Sequence, residues 1–162
     1  MSDPGSRDPS GTDRLRWNAV RESAGAYYRA NPLDRIAIIR GRVPATYVVA
    51  LAQSMQIPKE RLCGILDLAR ATVDRKIQGR QRLSQEESER VLAVAQLIGQ
   101  VDSMVRESGD PSGFDAARWM AGWLEHPHPA LGGRRPGELL DTADGRHLVA
   151  QLLAQQQAAT YA

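Results

Sequence analysis

The strongest constraint in this chain is one segment, RLSQEESERVLAVAQLIGQVDSMVRE, running from Arg82 to Glu107. Its Ser84-x-x-Glu87 spacing is a capping box, in which hydroxyl and carboxylate each satisfy a backbone amide left open at a helix start. Apolar residues then recur three and four apart, at Val91, Val94, Ile98, Val101 and Val105, and Gly109, Pro111 and Gly113 end the run. The pattern predicts a long amphipathic helix whose stripe must be covered by other elements. Gly99 inside it sacrifices about 1 kcal/mol of helix propensity and suits close packing against a second element. The stripe fits intramolecular core or a seam between two copies, core being the commoner use.

The remaining segments are also helical in character. Asn31-Pro32 reads as a cap followed by proline at the first helical position. A helix from Pro44 carries Val48, Leu51, Ala52 and Met55, and one from Pro58 buries Leu62, Ile65 and Leu66. RATVDRKIQ follows, closed by Gly79, and helices are expected from about Asp115 to Glu125 and from about Ala143, the last facing a core with Leu148, Leu152 and Leu153. Thr12 to Ala30 reads as a helix weakened by Gly25, and the polar Met1–Gly11 as disordered. No hairpin signal or internal repeat occurs, so the fold class expected is all-α. The organisation expected is a partly helical leader (1–30), a helical DNA-binding unit (31–108), a linker (109–113) and a small helical unit (114–162). A single cysteine, Cys63, excludes an internal disulfide and suits a reducing compartment. No apolar run nears the roughly 18 residues that span a bilayer, so the cytoplasm is the default.

Net charge is only +2, but Arg70 to Arg82 holds five Lys/Arg against one acid, whereas four Arg face five acids from Phe114 onward. Two short helices, a tight turn and a basic second helix form the sequence pattern of a helix-turn-helix. With Val73 and Ile77 turned inward, Arg70, Thr72, Arg75 and Lys76 face outward, able to read base edges or hold phosphates. Arg80 and Arg82 would meet the adjacent DNA backbone. A solvated basic face on a structural helix is the plainer alternative.

These residues carry a resemblance. LDLARATVDRKIQGRQRLSQEESERVLAVAQLI is similar to the helix-turn-helix of the Xre/MbcA/ParS antitoxins, with Thr72, Val73, Arg75, Lys76, Leu83, Ser84, Glu87, Ser88 and Arg90 in matching positions. Asp67 stands where a turn glycine is common and Ala69 where a capping Ser or Pro is common, the lost cap costing about 1 kcal/mol. WLEHPHPALGGRRPGELLDTADGRHLVAQLL resembles the toxin-binding domain of the same family, through Trp123, Leu124, Leu131, Gly132, Gly133, Pro136, Leu139, Leu140, Thr142, Gly145, Val149 and Leu152. The resemblance covers roughly residues 44–162. It implies an antitoxin that binds a RES-domain toxin, one that consumes NAD or transfers ADP-ribose. It also implies repression of its own operon through operator DNA, as a homodimer, with no catalysis by this chain. For toxin contact it points to Trp123, Leu131, Gly132 and Gly133, to Arg134, Arg135 and Arg146 as polar contacts, and to Tyr161 as an inserted group.

Other chemistry fits the sequence less well. HPALGGRRPGELLDTADG (128–145) could suggest a phosphate cradle, but no strand precedes it and no Gly-Lys-Ser/Thr follows. His126 and His128 lack partner ligands at metal spacing, so no metal or cofactor is expected. Cys63 reads as a small core residue. A rival from another class is a stand-alone regulator whose C-terminal unit senses a small molecule or only dimerises. A small helical enzyme is the weakest alternative.

Overall fold

The computed structural model describes residues 15–161, with side chains described as far as 159. The expected disorder of residues 1–11 and the Tyr161 side chain lie outside what it describes. Eight helices follow in order: α1 Val20–Arg29, α2 Pro32–Gly41, α3 Thr46–Met55, α4 Lys59–Ile65, α5 Arg70–Gln78, α6 Gln85–Glu107, α7 Ala116–Glu125 and α8 Ala143–Tyr161. Two 3-10 turns, Pro129–Leu131 and Pro136–Leu139, separate α7 from α8. Among the described residues there is no strand, only two isolated antiparallel bridges, Pro44–Arg82 and His128–Arg134. The protein is all-α.

Local side-chain caps set several of the helix starts. Asn31 accepts from the Asp34 amide at 2.9 Å, Ser84 and Glu87 form the reciprocal capping box, and Thr142 Oγ1 accepts from the Gly145 amide at 3.0 Å. The first helix begins later than its composition suggests. Leu15–Ala19 is not helical; Ala19 precedes α1, and Trp17 packs edge-on against Tyr47 with ring centroids 4.9 Å apart. Gly25 lies buried within α1, which runs through it unbroken.

The central helix organises the rest. Val91, Val94, Ile98 and Val101 are at most 3% exposed and belong to the chain's own core, α6 packing mainly against α1, whereas Val105 at the end of the stripe is half-buried beside an open cleft. Gly99 permits a close approach of α1 to α6: a Cβ there would lie 2.4 Å from the Ala24 carbonyl oxygen. The α1–α6 contact is also held by Asp102, which is buried and paired with Arg21 at 3.2 Å and Arg106 at 3.0 Å. Arg35 of α2 donates to the carbonyls of Tyr27 and Tyr28 at the end of α1, satisfying acceptors that a helix terminus leaves open. Tyr47 bonds Ser23 at 2.9 Å across α3 and α1, and burial pushes its phenol up to about 12. One cluster of buried side chains runs from Val20 to Leu153, so both halves of the chain share a core. Within α8, Val149 and Leu153 enter it and Leu152 is buried, but Leu148 is 47% exposed; the expectation that Leu148 faces the core is corrected. The helix turns its buried face through Gly145, Val149 and Leu152–Leu153, and Leu148 falls outside that arc.

Candidate functional site

The α4–turn–α5 unit has the helix-turn-helix form. Leu62, Leu66 and Val73 are fully buried and Leu68 nearly so, while Ile65 and Ile77 close the edges at half burial. The turn bends at Asp67, whose φ is +52°, a conformation glycine adopts at less cost. Its carbonyl accepts from Arg90 Nη1 at 2.9 Å, tying the turn to α6. Ala69 caps α5 without any side-chain bond, so an amide at that helix start lacks the usual partner. Two ion pairs compensate by fixing α5 from either side: Lys59–Asp74 and Lys76–Glu87, each 2.5 Å. Burial opposes the charge on Glu87, but the Lys76 ammonium and the Ser84 amide and hydroxyl outweigh it, holding the carboxyl below the usual range.

That pair corrects one expectation. Lys76 does not face outward: its side chain is 17% exposed and spent on the capping-box acid. Arg70 and Arg75 are exposed on α5, Arg70 within 3.8 Å of Glu60, and Thr72 is half-buried. Arg75 makes no ion pair among the described residues. Gly79 has an ordinary φ of −82°, and the left-handed turn after α5 falls on Arg80, φ +51°, which is exposed. Arg82 donates to the Arg42 carbonyl at 2.7 Å. The exposed basic surface is therefore built from Arg70, Arg75, Arg80 and Arg82.

The C-terminal residues sort into separate places. Asp115 caps α7 by accepting from the Arg118 amide at 3.1 Å. Trp119, which the sequence reading passed over, is 38% exposed and stacks on half-buried Trp123, centroids 6.0 Å apart and planes 15° apart. With Phe114, Arg118 and His126 they line an open cleft of about 570 Å³. The i, i+4 spacing of Trp119 and Trp123 on α7, with Phe114 just before its cap, was the available signal.

Beyond α7 the chain closes a small loop, with the His128 amide bonded to the Arg134 carbonyl and the Gly133 amide to the His128 carbonyl, both 3.0 Å. Gly132 and Gly133 adopt φ +65° and +81°, which is why glycine is needed there. Leu131 is half-buried and Arg134 exposed. Arg135 reaches Glu125 at 3.6 Å, and Arg61 of α4 meets the same carboxylate at 2.5 Å, so Glu125 joins the helix-turn-helix to α7. Arg146 instead donates to the Leu140 carbonyl and lines a different cleft, beside Tyr27 and Glu89. The predicted partner contacts are thus not one patch. His126 bonds the Gly122 carbonyl at 2.7 Å; His128 Nδ1 accepts from the Ala130 amide, and its Nε2 lies 2.7 Å from the Gln156 amide. The histidine nitrogens that could bind a metal are thus mostly engaged in structure. Among the described residues, no group of three or more His, Cys, Asp or Glu is placed to hold a metal. Burial pushes the Cys63 thiol up, as befits a core residue.

A helix-turn-helix with an exposed arginine face is followed, on the same core, by a helical unit with a partly exposed aromatic pair. Residues 34–96 match the antitoxin Xre-like helix-turn-helix domain, and residues 114–158 the antitoxin Xre/MbcA/ParS C-terminal toxin-binding domain. A Prs ADP-ribosylating antitoxin of Sphingobium sp. (strain YBL2) is 44% identical over 137 residues, covering 85% of this chain and 86% of that one. The chain belongs to the Xre/MbcA/ParS antitoxin family.

Proposed function

We propose that this chain neutralises a RES-type toxin that consumes NAD or transfers ADP-ribose, by stoichiometric binding through residues 114–162. The relative's name associates an antitoxin with ADP-ribosylation, which supports the second of these toxin chemistries. Trp123, Leu131, Gly132, Gly133, Arg134, Arg135, Arg146 and Tyr161 remain the proposed contacts, with Trp119 added. Arg134 is the freest of the arginines, since Arg135 and Arg146 already hold internal partners.

In the same reading residues 31–108 bind operator DNA as a homodimer in the cytoplasm and repress the operon. Arg70, Thr72, Arg75, Arg80 and Arg82 contact the duplex, while Lys76 acts by holding α5 in place. Two copies double the contacts and match a two-fold operator. The observation that carries the proposal is the stacked Trp119–Trp123 pair left open to solvent on α7, since aromatic and Arg side chains are the usual anchors of protein interfaces. The cleft's volume also favours a second reading, a regulator that senses a small molecule, because ligand pockets span about 300–1,000 Å³.

Co-purification with the product of the neighbouring gene separates the two. The expected result is a stable complex in which that product's NAD-dependent activity is suppressed. A neighbouring product that neither binds this chain nor consumes NAD would refute the antitoxin reading.

A further inference from the structure

We propose that Arg42, in the loop between α2 and α3, holds a DNA phosphate and extends the duplex-binding surface beyond the helix-turn-helix. The inference rests on the DNA-binding part of the reading above. It adds a residue from a segment that neither the motif nor the charge count of residues 70–82 includes.

The backbone gives the first indication. Arg42 has φ +60° and ψ +146°, a region that glycine enters freely and other residues rarely occupy. Glycine is nearby, at position 41, but inside the regular end of α2. The strained position instead carries an exposed arginine, with no hydrogen bond or ion pair from its guanidinium among the described residues.

The pairing of two loops gives the second. The Leu83 amide donates to the Val43 carbonyl at 2.8 Å and the Ala45 amide to the Gln81 carbonyl at 3.1 Å, with Pro44 opposite Arg82. Val43 and Leu83 are both 0% exposed, so the alternation of an extended pair turns Arg42 and Arg82 to the outer side. The Arg82 guanidinium rests on the Arg42 carbonyl, bracing the loop that carries the second arginine. Arg42 is thereby fixed beside the segment that leaves the recognition helix.

Charge gives the third. No acid occurs from Arg35 to Lys59, nor from Arg75 to Gln85, so the two paired loops bring Arg42 and Arg82 together from segments that hold Arg40 and Arg80 as well and no acid of their own. A polyanion fits such a surface, and a guanidinium suits a phosphate through paired N–H donors.

The test uses the full chain and two labelled duplexes of equal length, one from upstream of its own gene and one scrambled, titrated across salt. Arg42→Gly relieves the backbone and should melt no lower than the parent. It should weaken binding several-fold on both duplexes and reduce the salt slope by about one per protomer. Arg42→Lys should keep the parent slope. A parent that binds duplex while Arg42→Gly matches it in affinity and slope overturns the assignment alone. A parent that binds neither duplex at any salt overturns the DNA-binding reading and this inference with it. Loss of toxin capture by Arg42→Gly with an unchanged slope would assign the residue to a protein partner and also overturn it.

Discussion

The contact between α1 and α6 can be tested by adding one methyl group. Gly99→Ala would place a Cβ 2.4 Å from the Ala24 carbonyl oxygen, 2.7 Å from Tyr28 Cβ and 2.9 Å from the Ala24 carbonyl carbon. Carbon–oxygen contacts settle near 3.3–3.6 Å, so the helices must separate by about 1 Å. Because the nearest atoms are backbone, no rotamer change relieves the clash. Alanine gains about 1 kcal/mol of helix propensity, against an overpacking cost of roughly 1–3 kcal/mol or more. The expected outcome is a net loss of up to about 2 kcal/mol, read as a lower urea midpoint with an unchanged slope. Gly25→Ala on the facing helix is the control. The atoms nearest its Cβ would be those of the Arg29 guanidinium, from 2.9 Å, which can swing into solvent. That variant should therefore gain up to about 1 kcal/mol. A Gly99→Ala protein as stable as Gly25→Ala would refute the claim that backbone approach, rather than helix propensity, fixed glycine at this position.

Other outcomes follow from the turn, the capping box and the aromatic pair. Ala69→Ser supplies the missing α5 cap and should stabilise by about 1 kcal/mol, and Asp67→Gly removes the cost of a positive φ and should add up to about 1 kcal/mol; chemical denaturation checks both, and a loss in either would contradict the turn geometry. Glu87 is held below its ordinary value in the folded chain, so its contribution is complete above the unfolded carboxylate range and is lost as pH falls through the folded value. The urea midpoint should accordingly drop more steeply on acidification in the parent than in Glu87→Gln, and parallel curves would exclude the linkage. Trp119→Ala should leave the fold intact, since the ring is 38% exposed, yet weaken toxin binding by 2 kcal/mol or so in calorimetry; unchanged affinity would move the interface elsewhere.

What could be read from the sequence divides by range. Asn31, Ser84, Glu87 and Thr142 act on amides three residues away, so their roles follow from spacing alone. The helix-turn-helix was legible for the same reason: its buried positions and its exposed arginines are set by helical period. Side chains that reach across the fold were not. Lys76 has the spacing of a solvent-facing residue, and only the arrival of α6 beside α5 turns its ammonium onto Glu87. Leu148 is apolar, but whether it meets the core depends on how α8 is rotated, which the glycine at 145 decides by letting the helix start close against the Leu139 carbonyl. Arg146 sits near Arg135 in sequence, yet it is drawn to the Leu140 carbonyl while Arg135 turns to Glu125. Glu125 shows most clearly why residue type alone is insufficient. Arg61 and Arg135 come from the two halves of the chain and converge on its carboxyl, with the Arg61 bond the main reason it is held below the usual range. The helix-turn-helix and the C-terminal unit therefore share a charged contact as well as a hydrophobic core.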